Sequence, residues 1–197
     1  HVRKKESSMS TSDNFYLNRR SVMARKMSAN PIDKDDLNKI VQAGIRVPDH
    51  GALNPWKLIV IQGEKLAKID QDIILKEYIK KNPSADKNVL DLESKRLQRA
   101  GAVVVVLSKP IDHPKISLWE MQLSSGAVCM NLLSCAQSLG YAAQWLTEWY
   151  SYNEKMITYL GGKVGVDKIS GFIYIGHKVE EPKERRRPNP TDVISYL

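Results

Sequence analysis

The clearest periodic stretch lies early in the chain. Asp33 heads a polar turn, Asp36 follows three residues on, and Leu37, Ile40, Val41, Gly44 and Ile45 recur at i, +3, +4, +7 and +8. This spacing predicts a helix capped by Asp33 with one buried face. Pro48 disfavours helical geometry at Val47, so the helix is expected to end near Arg46. A short helix over residues 13–18 is expected to stop near Arg19, and Asn30-Pro31 breaks the chain before the capped helix. The apolar run from Lys57 to Gln62 reads as a strand. Residues 64–80 and 84–99 read as two polar-faced helices around Asn82-Pro83. Four consecutive valines within Ala102 to Ser108 predict a strand buried on both faces.

Residues 117–139 form a long helical pattern whose second half, from Gly126, is small and apolar nearly all round. Such a helix is expected to be buried on every side, in a core or between subunits. Gly140 closes it. Tyr141 to Leu146 reads as a strand, residues 152–160 as a helix ending at Gly161-Gly162, and Ser170 to Gly176 as the last core strand. The tail from Lys178 is basic and proline-rich and ends in Asp192-Val-Ile-Ser-Tyr-Leu, apolar enough to dock as an extra strand. The sum is an α+β domain of about four core strands covered by helices.

Composition adds limits. A chain of 197 residues, 42% hydrophobic and 26% charged, suits a single globular domain. Residues 1–8 have no apolar run and precede the first Met at Met9, so they read as an appended remnant, leaving residues 9–197 as the domain. No segment has the length and apolarity of a membrane span, which makes a cytoplasmic protein the expectation. Cys129 and Cys135 are six apart, off a shared helix face, and read as two core residues rather than a disulfide or metal pair. The net charge of +8 raises nucleic acid as a partner. However, the basic residues are dispersed apart from Arg185-Arg186-Arg187, and no aromatic–basic stripe accompanies them. A phosphorylated cofactor explains the arginines more economically than a nucleic acid.

Four places carry candidate chemistry. Arg19-Arg20-Ser21 offers two planar guanidinium forks and a hydroxyl, a set suited to phosphate oxygens. Taken alone it reads better as a solvated basic helix end. Arg46-Val47-Pro48-Asp49-His50, running on to Asn54-Pro55-Trp56, is a polar loop between a helix and a strand, with a backbone shaped by two prolines and Gly51. Trp145-Leu146-Thr147 ends a strand with an aromatic edge and a hydroxyl, or is a core Trp with its neighbours. Arg185 and Arg187 in the tail are a second phosphate clamp or a solvated charge run. The chain has no Gly-x-Gly-x-x-Gly, no phosphate loop, no zinc spacing and no nucleophile elbow.

In this order and spacing the four pieces, with Gly-Phe-Ile-Tyr-Ile-Gly before the tail, resemble the nitroreductase superfamily, and within it the short branch that carries Arg-x-Pro-Asp-His. The resemblance covers residues 13–197. It implies a mixed sheet wrapped by helices, a homodimer with FMN at its interface, and a C-terminal segment extending across the partner. Arg19, Arg20 and Ser21 would hold the phosphate and ribityl end, with Arg185 or Arg187 completing the clamp. Arg46, Asp49 and His50 would come from the other subunit, Asn54 would also bind the cofactor, and Trp145, Leu146 and Thr147 would line the flavin ring. Ala52 and Leu146 depart from relatives that carry an amide and an Arg there. The implied reaction takes hydride from NADH or NADPH and passes electrons to a nitroaromatic, a quinone or a similar acceptor, with no catalytic side chain and no metal. A different redox reaction on the same fold, or a non-catalytic flavin- or nucleic-acid-binding role, is the alternative.

Overall fold

The structure, a computed structural model, describes residues 11–197, so the reading of residues 1–8 as a remnant lies outside the described part. Helix α1 (Thr11–Asn18) leads into a segment that contributes a two-residue strand, β1 (Met27–Ser28). Helix α2 (Lys34–Gly44) follows, with the Asp33 carboxylate accepting from the backbone N–H of Asp35 and Asp36 as its sequence predicted. It ends at Gly44 rather than near Arg46, and Ile45, expected on the buried face, is exposed. Strand β2 (Trp56–Gln62) precedes α3 (Glu64–Ile69), which runs through a π-helical stretch into α4 (Lys76–Lys81). The next helix, α5 (Lys87–Glu93), is shorter than the 84–99 pattern promised. The fully buried Asp70 carboxylate accepts from the backbone N–H of Leu97 and Gln98. Those bonds hold a separate 3₁₀ turn at Leu97–Arg99 in place of a continuing helix.

Strand β3 (Ala102–Ser108) leads to α6 (Leu118–Ser138), then β4 (Ala142–Leu146), α7 (Glu154–Tyr159), β5 (Lys168–Lys178) and the short α8 (Pro190–Val193). Strand β3 lies between β2 and β5, while β4 and β1 also pair with β5. Every pairing among the described residues is antiparallel, so the sheet of one chain is antiparallel rather than mixed. The α+β class is as expected, but β1 escaped notice because two residues carry no periodicity. The apolar tail, expected to dock as a strand, pairs with none among the described residues; after α8 it is exposed.

All seven residues of β3 are buried because each side of the strand faces its own core. Ala102, Val104 and Val106 pack with α2 and α6 through Ile40, Val128 and Leu132. Val103, Val105 and Leu107 pack toward Leu66, Tyr150, Met156 and Phe172 on the opposite face. Helices α2 and α6 approach closely at Gly44, where a Cβ would come within 2.5 Å of the Leu132 side chain. In α6 the stretch from Gly126 to Gln137, the half expected to be buried, has no exposed residue. Met121, Val128, Leu132 and Ala136 face the core, while Leu118, Trp119 and Leu123 are exposed. These three apolar residues therefore have no cover among the described residues. No described helix is long and apolar enough to cross a membrane.

A polar network is built into the second core. Arg99 Nη2 donates to Glu148 Oε1 at 2.9 Å, and to the Tyr174 and Tyr150 hydroxyls at 3.3 and 3.4 Å. The two hydroxyls share a hydrogen bond of 2.5 Å, and the guanidinium lies 5.0 Å from the Tyr174 ring centroid. Burial pushes the Tyr174 hydroxyl up to about 12, so it stays protonated across the working range.

Both cysteines are free. Burial on α6 pushes the Cys129 thiol up to about 12, and Cys135 is only partly covered. A thiol reagent on the native protein is expected to modify Cys135 slowly and Cys129 only after denaturant is added, because the thiolate is the attacking species. Modification of Cys129 in native protein at the rate of Cys135 would contradict this placement.

Candidate functional site

The Arg19-Arg20-Ser21 segment is tied to the end of the sheet from both sides. Val22 N–H donates to the Ala143 carbonyl of β4, Ala24 N–H to Gln144 Oε1 at 2.6 Å, and Gln137 Nε2 of α6 to the Arg20 carbonyl at 2.8 Å. The segment therefore sits where β4 begins and α6 ends. The chain beyond β5 crosses back over it. Arg20 Nε and Nη2 donate to the Lys183 carbonyl, and Arg187 Nη2 reaches the Arg19 carbonyl at 3.5 Å. Glu184 Oε1 lies 3.1 Å from Arg187 Nη2 and 3.6 Å from Arg20 Nε. A cleft of about 410 Å³ opens here, lined by Asn18, Arg19, Arg20, Gln137 and Glu184 among others.

This corner carries excess positive charge. Burial first, and then Arg187 and Arg20, push the Arg19 guanidinium below its ordinary range. Among the described residues, Arg19 Nη1 and Gln137 Oε1 are both buried without a hydrogen-bond partner, while Gln137 Nε2 donates to the Arg20 carbonyl. An unpaired buried guanidinium nitrogen is costly unless an acceptor completes it. The set fits an anion with several oxygens, such as a phosphate.

The second loop lies elsewhere on the molecule. His50 Nδ1 is 2.9 Å from Glu120 Oε1 at the start of α6, where Glu120 also forms a capping box with Ser117. The Ser117 backbone N–H and then His50 hold the Glu120 carboxyl below its usual range. Asp49 turns inward to accept from Asn54 N–H at 2.7 Å, and Ser124 Oγ donates to the Pro48 carbonyl. Asn131 Nδ2 donates to the Arg46 carbonyl, leaving the Arg46 side chain exposed and without a partner among the described residues. Asn54 and Ala52 both take positive φ, so this turn is held by Asp49 and not by glycine alone.

Trp145 lies on the α6 side of β4. Its indole N–H donates to the Ser170 carbonyl at 2.9 Å, and a Cβ at Gly171 would fall 2.2 Å from that nitrogen. Only glycine permits the ring to lie flat there. Leu146 turns the other way, into the core with Tyr150 and Phe172, so its side chain is directed away from the Trp145 face. Thr147 is exposed beyond the end of β4.

Within one chain, then, Arg19, Arg20, Ser21 and Arg187 are gathered, with Arg185 exposed beside them. Arg46, Asp49, His50 and Asn54 form a separate group. No hydrogen bond or ion pair joins the two groups among the described residues. Glu120 and Gln137, which mark the two groups, stand near opposite ends of α6, about 25 Å apart at a rise of about 1.5 Å per residue. Sequence reasoning missed Glu120, Gln137 and Gly171. Glu120 was concealed by its local capping role, and the other two signal only through the fold.

Comparison with known proteins bears on this geometry. The nitroreductase family model matches residues 16–177. A protein of Escherichia coli (strain K12) that carries the name NAD(P)H nitroreductase YdjA is 28% identical over 188 residues, covering 93% of this chain and 97% of that protein. A Haemophilus influenzae protein named for NAD(P)H nitroreductase is 28% identical over 177 residues, 88% of this chain and 93% of its own length. Among solved structures, a nitroreductase-like protein from Bacillus cereus superposes with a TM-score of 0.78 at 23% identity, covering 97% of this chain and 98% of its own. An FMN complex of a Desulfovibrio desulfuricans protein superposes with a TM-score of 0.71 at 18% identity, covering 96% and 99%.

Proposed function

Because the chain belongs to the nitroreductase family, we propose that it is an FMN-dependent oxidoreductase that takes hydride from NADH or NADPH and reduces a small acceptor such as a nitroaromatic or quinone. The buried, unpartnered Arg19 Nη1, flanked by Arg20 and Arg187, is the observation that carries the cofactor half of this reading. Bound FMN would supply the electron-transfer chemistry, so no protein nucleophile is required.

The residues of the chain bind and enclose. Arg19 and Arg20 hold the phosphate, and Ser21 and Gln137 offer polar atoms beside it. Trp145, fixed by the Ser170 carbonyl, supplies a flat apolar wall, and Thr147 a hydroxyl at its edge. Leu146 contributes through its backbone, since its side chain is in the core. Arg46, Asp49, His50 and Asn54 belong to the site of a second copy, which their distance from Arg19 along α6 favours. A homodimer would also cover Leu118, Trp119 and Leu123 on α6, and give the apolar tail residues Val193, Ile194 and Tyr196 a surface to pack on.

The absorbance spectrum of the purified protein tests this. We expect flavin bands, bleaching on anaerobic addition of NAD(P)H, and recovery on addition of a quinone or nitroaromatic. A protein that neither copurifies with flavin nor takes it up on reconstitution would overturn the reading.

A further inference from the structure

One carboxylate oxygen in the arginine corner is surrounded as a phosphate oxygen would be. Glu184 Oε1 receives the Arg185 backbone N–H at 2.6 Å, Arg187 Nη2 at 3.1 Å, and the approach of Arg20 Nε at 3.6 Å. These donors come from two distant parts of the chain, the end of α1 and the segment after β5. They converge at a cleft that Arg19 also lines, its Nη1 buried and without a hydrogen-bond partner among the described residues. The Glu184 side chain is 66% exposed, so it reaches this position from solvent and is not locked there by packing. A single negative charge faces two guanidinium groups, those of Arg20 and Arg187, with Arg19 lining the same cleft, and the corner remains electropositive with Glu184 in place.

We propose that Glu184 is an internal counter-anion that occupies the phosphate-oxygen seat of the cofactor-free chain and is displaced when a phosphate monoester binds. The inference rests on the flavin reading above and adds to it. It assigns the seat to the Arg20 and Arg187 guanidinium groups and the Arg185 backbone N–H, with the Arg185 side chain outside it. A phosphate monoester carries about −1.5 to −2 at neutral pH and three acceptor oxygens. It can therefore satisfy the Arg187 and Arg20 donors and Arg19 Nη1 together, which one carboxylate oxygen does not. Glu184 would keep the two arms of the clamp together between binding events, and its displacement lowers the apparent affinity for any competing anion.

The test uses flavin-stripped full-length protein. Glu184→Gln removes the competing charge and keeps the side-chain size. Glu181→Gln makes the same change of charge at a residue three positions away whose carboxylate pairs with Lys178 instead. FMN and riboflavin are titrated by quenching of flavin fluorescence, and inorganic phosphate by calorimetry. Glu184→Gln is expected to bind FMN and inorganic phosphate about fivefold more tightly, with riboflavin affinity unchanged and Glu181→Gln within about twofold of the parent. Equal or weaker phosphate binding by Glu184→Gln, or an equal gain in Glu181→Gln, would overturn the proposal. If no variant binds FMN, the flavin reading fails, and the phosphate titration still decides whether Glu184 occupies an anion seat.

Discussion

Arg19→Gln is expected to emerge from purification without flavin, and its affinity for added FMN is expected to fall roughly 30- to 1000-fold, as loss of one partner of a desolvated charge pair does. The same substitution is expected to leave the cofactor-free protein as stable as its parent or more so. In that form Arg19 Nη1 is a buried donor without an acceptor among the described residues, crowded by Arg20 and Arg187, and its removal relieves both penalties. The two readouts, flavin occupancy and the melting temperature of stripped protein, move in opposite directions only if the site exists for a ligand. A structural arginine would lower both. Flavin retained in Arg19→Gln at parental occupancy would remove Arg19 from the clamp.

Arg99→Leu is expected to have the largest effect on stability. It leaves the Tyr150 and Tyr174 hydroxyls and one Glu148 oxygen without their shared cation in a buried setting. Arg96 still reaches Glu148 at 3.1 Å, which softens the loss. Breaking a buried charged network of this kind costs about 3 kcal/mol, which for a chain of this length lowers the melting temperature by about 6–12 °C. The network lies on the face of the sheet opposite α6, so flavin bound at saturation below the transition is expected to be unaffected. A melting temperature within about 2 °C of the parent would show that the network is surplus to the fold.

The parts of the molecule that were legible in the sequence are those whose reasons are local. The Asp33 cap, the valine strand and the length of α6 each follow from a spacing or a run, and the structure has them. The elements that were missed or misjudged depend on distant partners. The break after Glu93 is enforced by Asp70, and β1 exists because Met27 and Ser28 meet the end of β5. Neither signal lies within a window that periodicity can scan. The second half of α6, expected to be buried from its small apolar residues, has no exposed residue from Gly126 to Gln137, whereas Leu118, Trp119 and Leu123 in the first half are exposed, and apolarity alone does not name the surface that covers them.

The candidate site divides in the same way. Arg19, Arg20 and Ser21 were visible as a basic triplet with a hydroxyl, yet the triplet gained meaning only when Arg187 and Glu184 were found beside it. Leu146 was placed at the ring on the strength of its neighbours, whereas strand alternation sends its side chain into the core with Tyr150. That geometry alters what the departure at this position means. An Arg in place of Leu146 would have to enter an apolar core or move the strand, so the difference from relatives reaches into packing as well as charge near the ring.

Strand β3, paired on both edges and covered on both faces, has a use outside structure. The backbone amides of Val103 to Leu107 have no route to solvent short of global opening, so their deuterium uptake should report the full unfolding free energy. A ligand that binds only the folded chain slows that uptake by a factor fixed by its concentration and dissociation constant. These five amides therefore form a colourless gauge of occupancy, able to rank nicotinamide reductants, acceptors and inorganic anions for which no absorbance change exists.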